Sequence, residues 1–255
     1  MTLRVVKIGG AALGDAAWLG DFAEAVARAG EPLVIVHGGG PEINALSERM
    51  GVPVTWNGGR RVTPPEALDV ASMVLTGRLN KRIVAALLDA GADALGLSGE
   101  DGGLVTGELA EGGALGRVGV VERVRTDLLH WLVGRGMVPV VSPISRGSDG
   151  GPMNINADEV ATAVAVSVAA SELLFITDVA GVSDGFGVRP ELSDVEAAEL
   201  VATGAARDGM ALKLRTALQA LEAGVPCVRI GRSEIVVDPA AGTRIRQEAE
   251  VTAWR

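Results

Sequence analysis

Leu33-Val34-Ile35-Val36-His37-Gly38-Gly39-Gly40-Pro41 reads as a strand that ends in three glycines, with proline standing where the next helix begins. Four aliphatic residues without polar alternation are the pattern of a strand covered on both faces, as in a parallel sheet. Proline costs nothing at the first helical position, because its missing N–H would have no partner there. The glycines let backbone amides approach an anion closely, and the helix N-terminus adds a partial positive charge. One such turn is as readily structural as functional. Val5-Val6-Lys7-Ile8-Gly9-Gly10 repeats the arrangement with a lysine beside it, and two such loops would open at the same edge of a parallel sheet.

Further short apolar runs lie at 94–97, 137–141, 173–176 and 227–230, in addition to those at 3–8 and 32–36. Helical periodicity fills the intervals at 16–29, 41–50, 65–88, 126–134, 157–169 and 210–223. This alternation predicts an α/β fold: a three-layer α/β/α sandwich around a mainly parallel central sheet. Two stretches break it. Residues 104–124 place glycines among alternating valines and predict a β-hairpin, and 183–187 is a glycine-rich turn before a short helix near 195–202. A length of 255 residues suits one large domain or two lobes on one continuous sheet, divided near residue 170 into 1–170 and 171–255.

Composition narrows the function. Hydrophobic residues make up 48% and charged residues 22%, as in globular chains. The formal charge of −9 argues against a nucleic-acid partner, which needs a basic surface to neutralise phosphates. No run approaches the roughly 20 apolar residues of a membrane span, and no signal-peptide pattern opens the chain, so a cytoplasmic enzyme is expected. The single cysteine, Cys227, excludes an internal disulfide and lies in an apolar run that suits an inert buried thiol. His37 and His130 are the only histidines, too few for a histidine-based metal site or triad; His37 abuts the glycine loop and is read as orienting it.

Lysine is unusually rare. Only Lys7, Lys81 and Lys213 occur, against 20 arginines. Where arginine has taken over as the general cation, the remaining lysines mark positions that need a compact ammonium. Lys7 precedes Gly9-Gly10, and Lys213 follows the Asp208-Gly209-Met210 turn. Both are natural places for a point charge beside a phosphate. Met153-Asn154-Ile155-Asn156-Ala157-Asp158 alternates polar and apolar residues before an alanine-rich helix. Helix capping and ligand contact both account for it. Gly59-Arg60-Arg61 sets two arginines in a loop before the long helix, where a guanidinium fork suits a carboxylate. Neither the G-x-x-x-x-G-K-[ST] phosphate loop nor G-x-G-x-x-G at a strand-to-helix turn is present.

Taken in order, V-V-K-I-G-G, V-I-V-H-G-G-G, R-V-T-P, M-V-L-T-G-R-L-N-K, G-L-S-G-E-D-G, N-I-N-A-D, I-T-D-V-A-G-V and D-G-M-A-L-K closely resemble the acetylglutamate kinases. These are arginine-biosynthesis enzymes of the amino-acid-kinase superfamily, and the resemblance spans nearly the whole chain. It implies the amino-acid-kinase fold and transfer of the γ-phosphoryl group of ATP, with Mg2+, to the side-chain carboxylate of N-acetyl-L-glutamate. It implies Lys7 and Lys213 as the lysines facing the transferring phosphoryl group, with Asp158 organising both. Gly9 and Gly10 would offer amides to that group, and Gly38 and Gly39 to the acyl-amino-acid. Arg61, with Arg60 as the alternative, and Asn154 would hold its carboxylate. Thr177, Asp178, Gly181, Val182, Ser183, Gly209 and Met210 would line the ATP pocket in the C-terminal lobe, the N-terminal lobe taking the other substrate. No protein-held metal site is implied, and Lys81 receives no catalytic role.

Two rival readings are a kinase of carrier-linked aminoadipate in lysine biosynthesis and a non-catalytic nucleotide- or amino-acid-binding regulator on the same fold. The resemblance also implies a homodimer around helix 65–88. There Leu68, Val70, Ala71, Val74 and Leu75, continued by Leu79, Ile83 and Leu87, make one apolar face that burial against the sheet explains equally well. In the family, inhibition by arginine goes with an added helix before the first strand; here the first strand begins by about Leu3, so indifference to arginine is expected.

Overall fold

The computed structural model describes residues 3–183 and 187–248. The first strand, β1 (Arg4–Ile8), turns through Gly9 into a short 3-10 segment and α1 (Ala16–Ala29), whose first amides are accepted by the side chain of Asp15. β2 (Leu33–His37) feeds α2 (Gly40–Met50) through the glycine loop. A hairpin follows, β3 (Trp56–Asn57) with β4 (Arg60–Arg61), so the two arginines anticipated in a loop lie on a strand. Gly58-Gly59 makes its two-residue turn, both glycines at the positive φ that tight hairpins require.

The long helix expected over 65–88 is three segments: α3 (Pro65–Ser72), a π-helical stretch Met73–Leu79, and α4 (Asn80–Asp89). Gly77 weakens the α-helical preference there. The widened turn presents Leu75 and Leu79 beneath Gly39, where an added Cβ would collide with both side chains.

β5 (Ala94–Ser98), α5 (Thr126–Val133) and β8 (Val138–Ser142) complete the N-terminal part of the main sheet. Between them, β6 (Val105–Leu109) and β7 (Val118–Val124) form the expected antiparallel pair. With β9 (Ile144–Gly147) and β10 (Pro152–Ile155) they close into a four-stranded barrel, which sequence patterning did not reveal. The chain continues through α6 (Ala157–Ser167), β11 (Glu172–Ile176), β12 (Glu191–Ser193), α7 (Asp194–Ala202), α8 (Asp208–Glu222), β13 (Val228–Gly231) and β14 (Thr243–Arg246). The turn anticipated at 183–187 falls largely on residues outside those described.

The main sheet has eight strands in the order β12-β14-β13-β11-β1-β2-β8-β5. All neighbours are parallel except β13 and β14. β11 pairs directly with β1, so one sheet runs through both halves of the chain.

Side chains alternate across it. Val5, Val34, Val36, Leu173 and Phe175 pack in a core with α5, α6 and α8, while Val6, Ile8, Leu33, Ile35 and Ile176 pack against α1 and the α3–α4 unit. The same alternation sends Lys7 toward α6 and His37 toward α4. Leu68, Val70, Ala71, Val74, Leu75, Leu79, Ile83 and Leu87 are 5% exposed or less, so this face is spent on the chain's own core. Among the described residues no helix is long and apolar enough to cross a membrane.

Candidate active site

Both glycine loops lie at the C-terminal edge of the sheet and touch backbone to backbone. Gly38 donates its N–H to the Ile8 carbonyl at 3.0 Å, and a Cβ on Gly10 would stand 2.8 Å from both Gly39 Cα and Gly40 N. Only glycine allows that approach. They form one wall of a pocket of about 370 Å³, a size suited to a small amino-acid derivative. Lys7, Gly10, Gly38 and Gly39 contribute to this wall. Arg61, Asn154 and Asp158 line the rest, so the structure brings together most of the residues expected to meet the acyl-amino-acid. Gly9 stands outside that lining, beside the end of β11.

Lys7 Nζ lies 2.6 Å from Asp158 Oδ1, with side-chain exposures of 16% and 30%. The contact is poorly aligned as a hydrogen bond, so charge holds the pair. Asn156 caps α6 by accepting the Asp158 N–H at 2.8 Å. Capping and site chemistry thus coexist here: the cap fixes the first helical turn, and that turn aims Asp158 at Lys7.

Arg61 is 8% exposed, and burial lowers its pKa. Its Nη2 donates to Asn44 Oδ1 at 2.6 Å and to the Gly40 carbonyl at 3.4 Å, and its guanidinium carbon sits 4.7 Å from the Trp56 ring centroid. Among the described residues no carboxylate pairs with it. Arg60, by contrast, faces Glu159 Oε2 at 3.5 Å. Glu159 is itself pushed up by burial and pulled back by Arg60.

A largely desolvated cation without an anionic partner among the described residues has the chemistry to take an anionic ligand, whereas the charge of Arg60 is met by Glu159. Asn154 donates to Thr63 Oγ1 at 3.3 Å, and Thr63 Oγ1 donates to the Arg61 carbonyl at 2.8 Å, so a buried hydroxyl ties the two polar groups together.

Asn44, Trp56 and Thr63 were not anticipated. The Gly58-Gly59 turn could have placed Trp56 across from Arg61, its partner in the hairpin register. Asn44 carries no sequence signal.

On the C-terminal side, Lys213 Nζ is 3.6 Å from Asp178 Oδ1. Asp178 also accepts from Thr177 Oγ1 at 2.8 Å, and that bond, helped by Lys213, lowers its pKa. Among the described residues Asp158 pairs with Lys7, while Lys213 pairs with Asp178, which stands where β11 ends. Gly209 and Met210 occupy the first turn of α8, one turn before Lys213. Gly181 and Val182 are fixed elsewhere: Val182 N–H donates to Thr243 Oγ1 at 2.8 Å, and a Cβ on Gly181 would meet that hydroxyl and Val188. Ser183 bridges to Val188.

A larger cleft of about 750 Å³ shares the Asp158 wall and runs between α6 and α8 to Leu212 and Thr216. Among the described residues no three His, Cys, Asp or Glu side chains cluster as a metal site.

His37 is fully buried behind the glycine loop, and burial, with a smaller effect from Lys81, lowers its pKa to about 4. It is neutral at physiological pH and does not line the pocket.

The sequence pattern of the amino acid kinase family matches residues 2–231. The chain belongs to the amino acid kinase family. It is 44% identical over 249 residues to the acetylglutamate kinase of Roseiflexus castenholzii, covering 97% of this chain and 95% of that one. It is also 44% identical over 232 residues to the acetylglutamate kinase of Chloroflexus aurantiacus, with 90% and 91% covered. A crystal structure of a Streptococcus mutans protein superposes with a TM-score of 0.82 at 31% identity, covering 96% of this chain and 99% of that one.

Proposed function

We propose that this kinase phosphorylates the side-chain carboxylate of N-acetyl-L-glutamate with ATP in arginine biosynthesis, acting in the cytoplasm and yielding an acyl phosphate and ADP. The observation that carries this reading is Arg61: a buried guanidinium with no carboxylate partner, in one pocket with Lys7 and the glycine loops. Arg61 and Asn154 hold the substrate's α-carboxylate, and Gly39 offers the acyl-amino-acid an amide; the Gly38 N–H, expected to do the same, is spent on the Ile8 carbonyl, so Gly38 serves the site as a wall of the loop.

The attacking carboxylate is already ionised at neutral pH, so the reaction needs no general base. What it needs is the approach of two anions and stabilisation of charge on the phosphoryl oxygens. Lys7 and the Gly10 amide serve the transferring group from the N-terminal lobe, 1–170. Lys213 serves it from the C-terminal lobe, 171–255. Thr177, Asp178, Ser183, Gly209 and Met210 receive ATP there, while Gly181 and the buried Val182 hold the turn to Thr243 behind them.

Mg2+ arrives with the nucleotide, since the donor set favours an ion held by phosphate oxygens and water over one caged by side chains. When bound, it draws charge from the phosphates. Two copies pair along the outer side of the α3–α4 unit, where Met73 and Leu88 are exposed. A monomeric mass by light scattering at micromolar concentration would contradict that pairing.

Release of ADP, measured across acetylglutamate, glutamate, aspartate and carrier-linked aminoadipate, tests the substrate. Acetylglutamate is expected to give the highest kcat/KM, and preference for any of the others would overturn the assignment. Arg61→Lys removes the fork that meets Asn44 and the planar face on Trp56. Loss of a charged bidentate contact, about 1.5–3 kcal/mol, raises the acetylglutamate KM roughly 10- to 100-fold and leaves that of ATP near wild type. Equal changes for both substrates would move the role away from Arg61.

A further inference from the structure

The glycine loop is held from behind by a polar chain inside an otherwise apolar layer. His37 Nδ1 lies 3.0 Å from the Gly38 carbonyl oxygen, and His37 Nε2 lies 3.3 Å from Asn80 Nδ2. Both residues are 0% exposed.

The orientation of the Asn80 amide is set by its other contacts. Lys81 Nζ donates to Asn80 Oδ1 at 3.1 Å, so that atom is the acceptor. The amide nitrogen faces the carbonyls of Val140 at 2.8 Å and Leu97 at 3.3 Å, and so is the donor. A donor facing His37 Nε2 requires that nitrogen to be bare, which places the imidazole proton on Nδ1, aimed at the Gly38 carbonyl.

The peptide plane carries this to the pocket. In a trans peptide, the carbonyl of Gly38 and the N–H of Gly39 point in opposite directions, so fixing one fixes the other. Among the described residues the Gly39 N–H has no hydrogen-bond acceptor, and Gly39 lines the pocket. Leu75 and Leu79 of the π-helical stretch bear on Gly39 from below, and the Gly10 backbone closes the other side.

We infer that His37, with its tautomer set by Asn80, is a positioning residue that turns the Gly38–Gly39 peptide so that the Gly39 N–H faces the acyl-amino-acid. This rests on the substrate reading above. It gives a buried histidine and the one unassigned Asn-Lys pair a single task.

Two near-isosteric variants separate the halves of the device. His37→Asn places an amide N–H near the position of Nδ1 and keeps the bond to Gly38. His37→Gln reaches the position of Nε2, keeps the contact with Asn80 and leaves the Gly38 carbonyl without a donor. The expected result is a fall in kcat/KM for acetylglutamate of about 10-fold or more in His37→Gln, with KM for ATP unchanged. His37→Asn should recover to within about 3-fold of wild type.

Equal losses in both variants, or parallel changes for ATP, would reduce His37 to a packing residue and overturn the inference. Wild-type enzyme without acetylglutamate kinase activity would instead overturn the substrate reading.

A measurement on the wild-type protein stands apart from folding defects. Nitrogen-15 NMR of labelled histidine should show two imidazoles. His37 should be neutral and protonated at Nδ1 throughout the range from about pH 5.5 to 8. An Nε2–H tautomer of His37, or its titration in that range, would contradict the inference.

Discussion

Lys7→Met is expected to lower kcat by about 10²- to 10³-fold, the usual loss when one charged donor to a transition state is removed. The structure adds a second cost. Lys7 neutralises Asp158 at 2.6 Å in a partly buried pair, so its removal leaves a carboxylate facing the incoming anionic phosphoryl group. Breaking such a pair is worse than lacking it altogether.

The double variant Lys7→Met/Asp158→Asn should therefore turn over several-fold faster than Lys7→Met alone, although Asp158→Asn by itself is slower than wild type. That sign reversal is what a double-mutant cycle detects. A double variant slower than Lys7→Met would show that Asp158 acts on something other than Lys7, such as Lys213 in a closed complex.

Lys213→Arg keeps the charge and should still lose about 100-fold or more in turnover, with ATP affinity close to wild type. Lys213 projects from the second turn of α8 toward Asp178 and is 31% exposed at its side chain. An ammonium there can settle at a fixed distance from a phosphoryl oxygen. A guanidinium has a longer stem and spreads its charge over a plane, so it overshoots the position where charge develops. Wild-type turnover in this variant would reduce Lys213 to an ordinary surface cation paired with Asp178.

Much of this arrangement was legible in the sequence because its causes are local. The β1 and β2 runs, the glycines that end them and the proline of α2 each act within a few residues, and the sheet formed where those runs lie. Chemistry that depends on pairing across the chain was harder to read. Arg60 and Arg61 are indistinguishable as neighbours in sequence. They separate only because the hairpin β3–β4 turns one toward Glu159 and buries the other over Trp56.

The hairpin was missed because strands of two residues carry no periodicity, although Gly58-Gly59 signals its turn. The barrel was missed because β6 is bordered by β9, a partner far along the chain. Asp158 was expected to hold both lysines. In this structure Lys213 lies beside Asp178, adjacent to β11, a proximity that sequence spacing does not encode. The π-helical stretch Met73–Leu79 reads as ordinary helix in sequence, and its purpose shows only when Leu75 and Leu79 are found beneath Gly39.

The central claim is that a carboxylate, not a hydroxyl or an amine, receives the phosphoryl group. An acyl phosphate is trapped by hydroxylamine as a hydroxamate, whereas a phosphate ester or a phosphoramidate is not. With ATP, Mg2+ and N-acetyl-L-glutamate, hydroxamate should form in equal amount to ADP, and glutamate or aspartate should give far less. ADP released without hydroxamate, or hydroxamate formed equally from glutamate, would contradict this account.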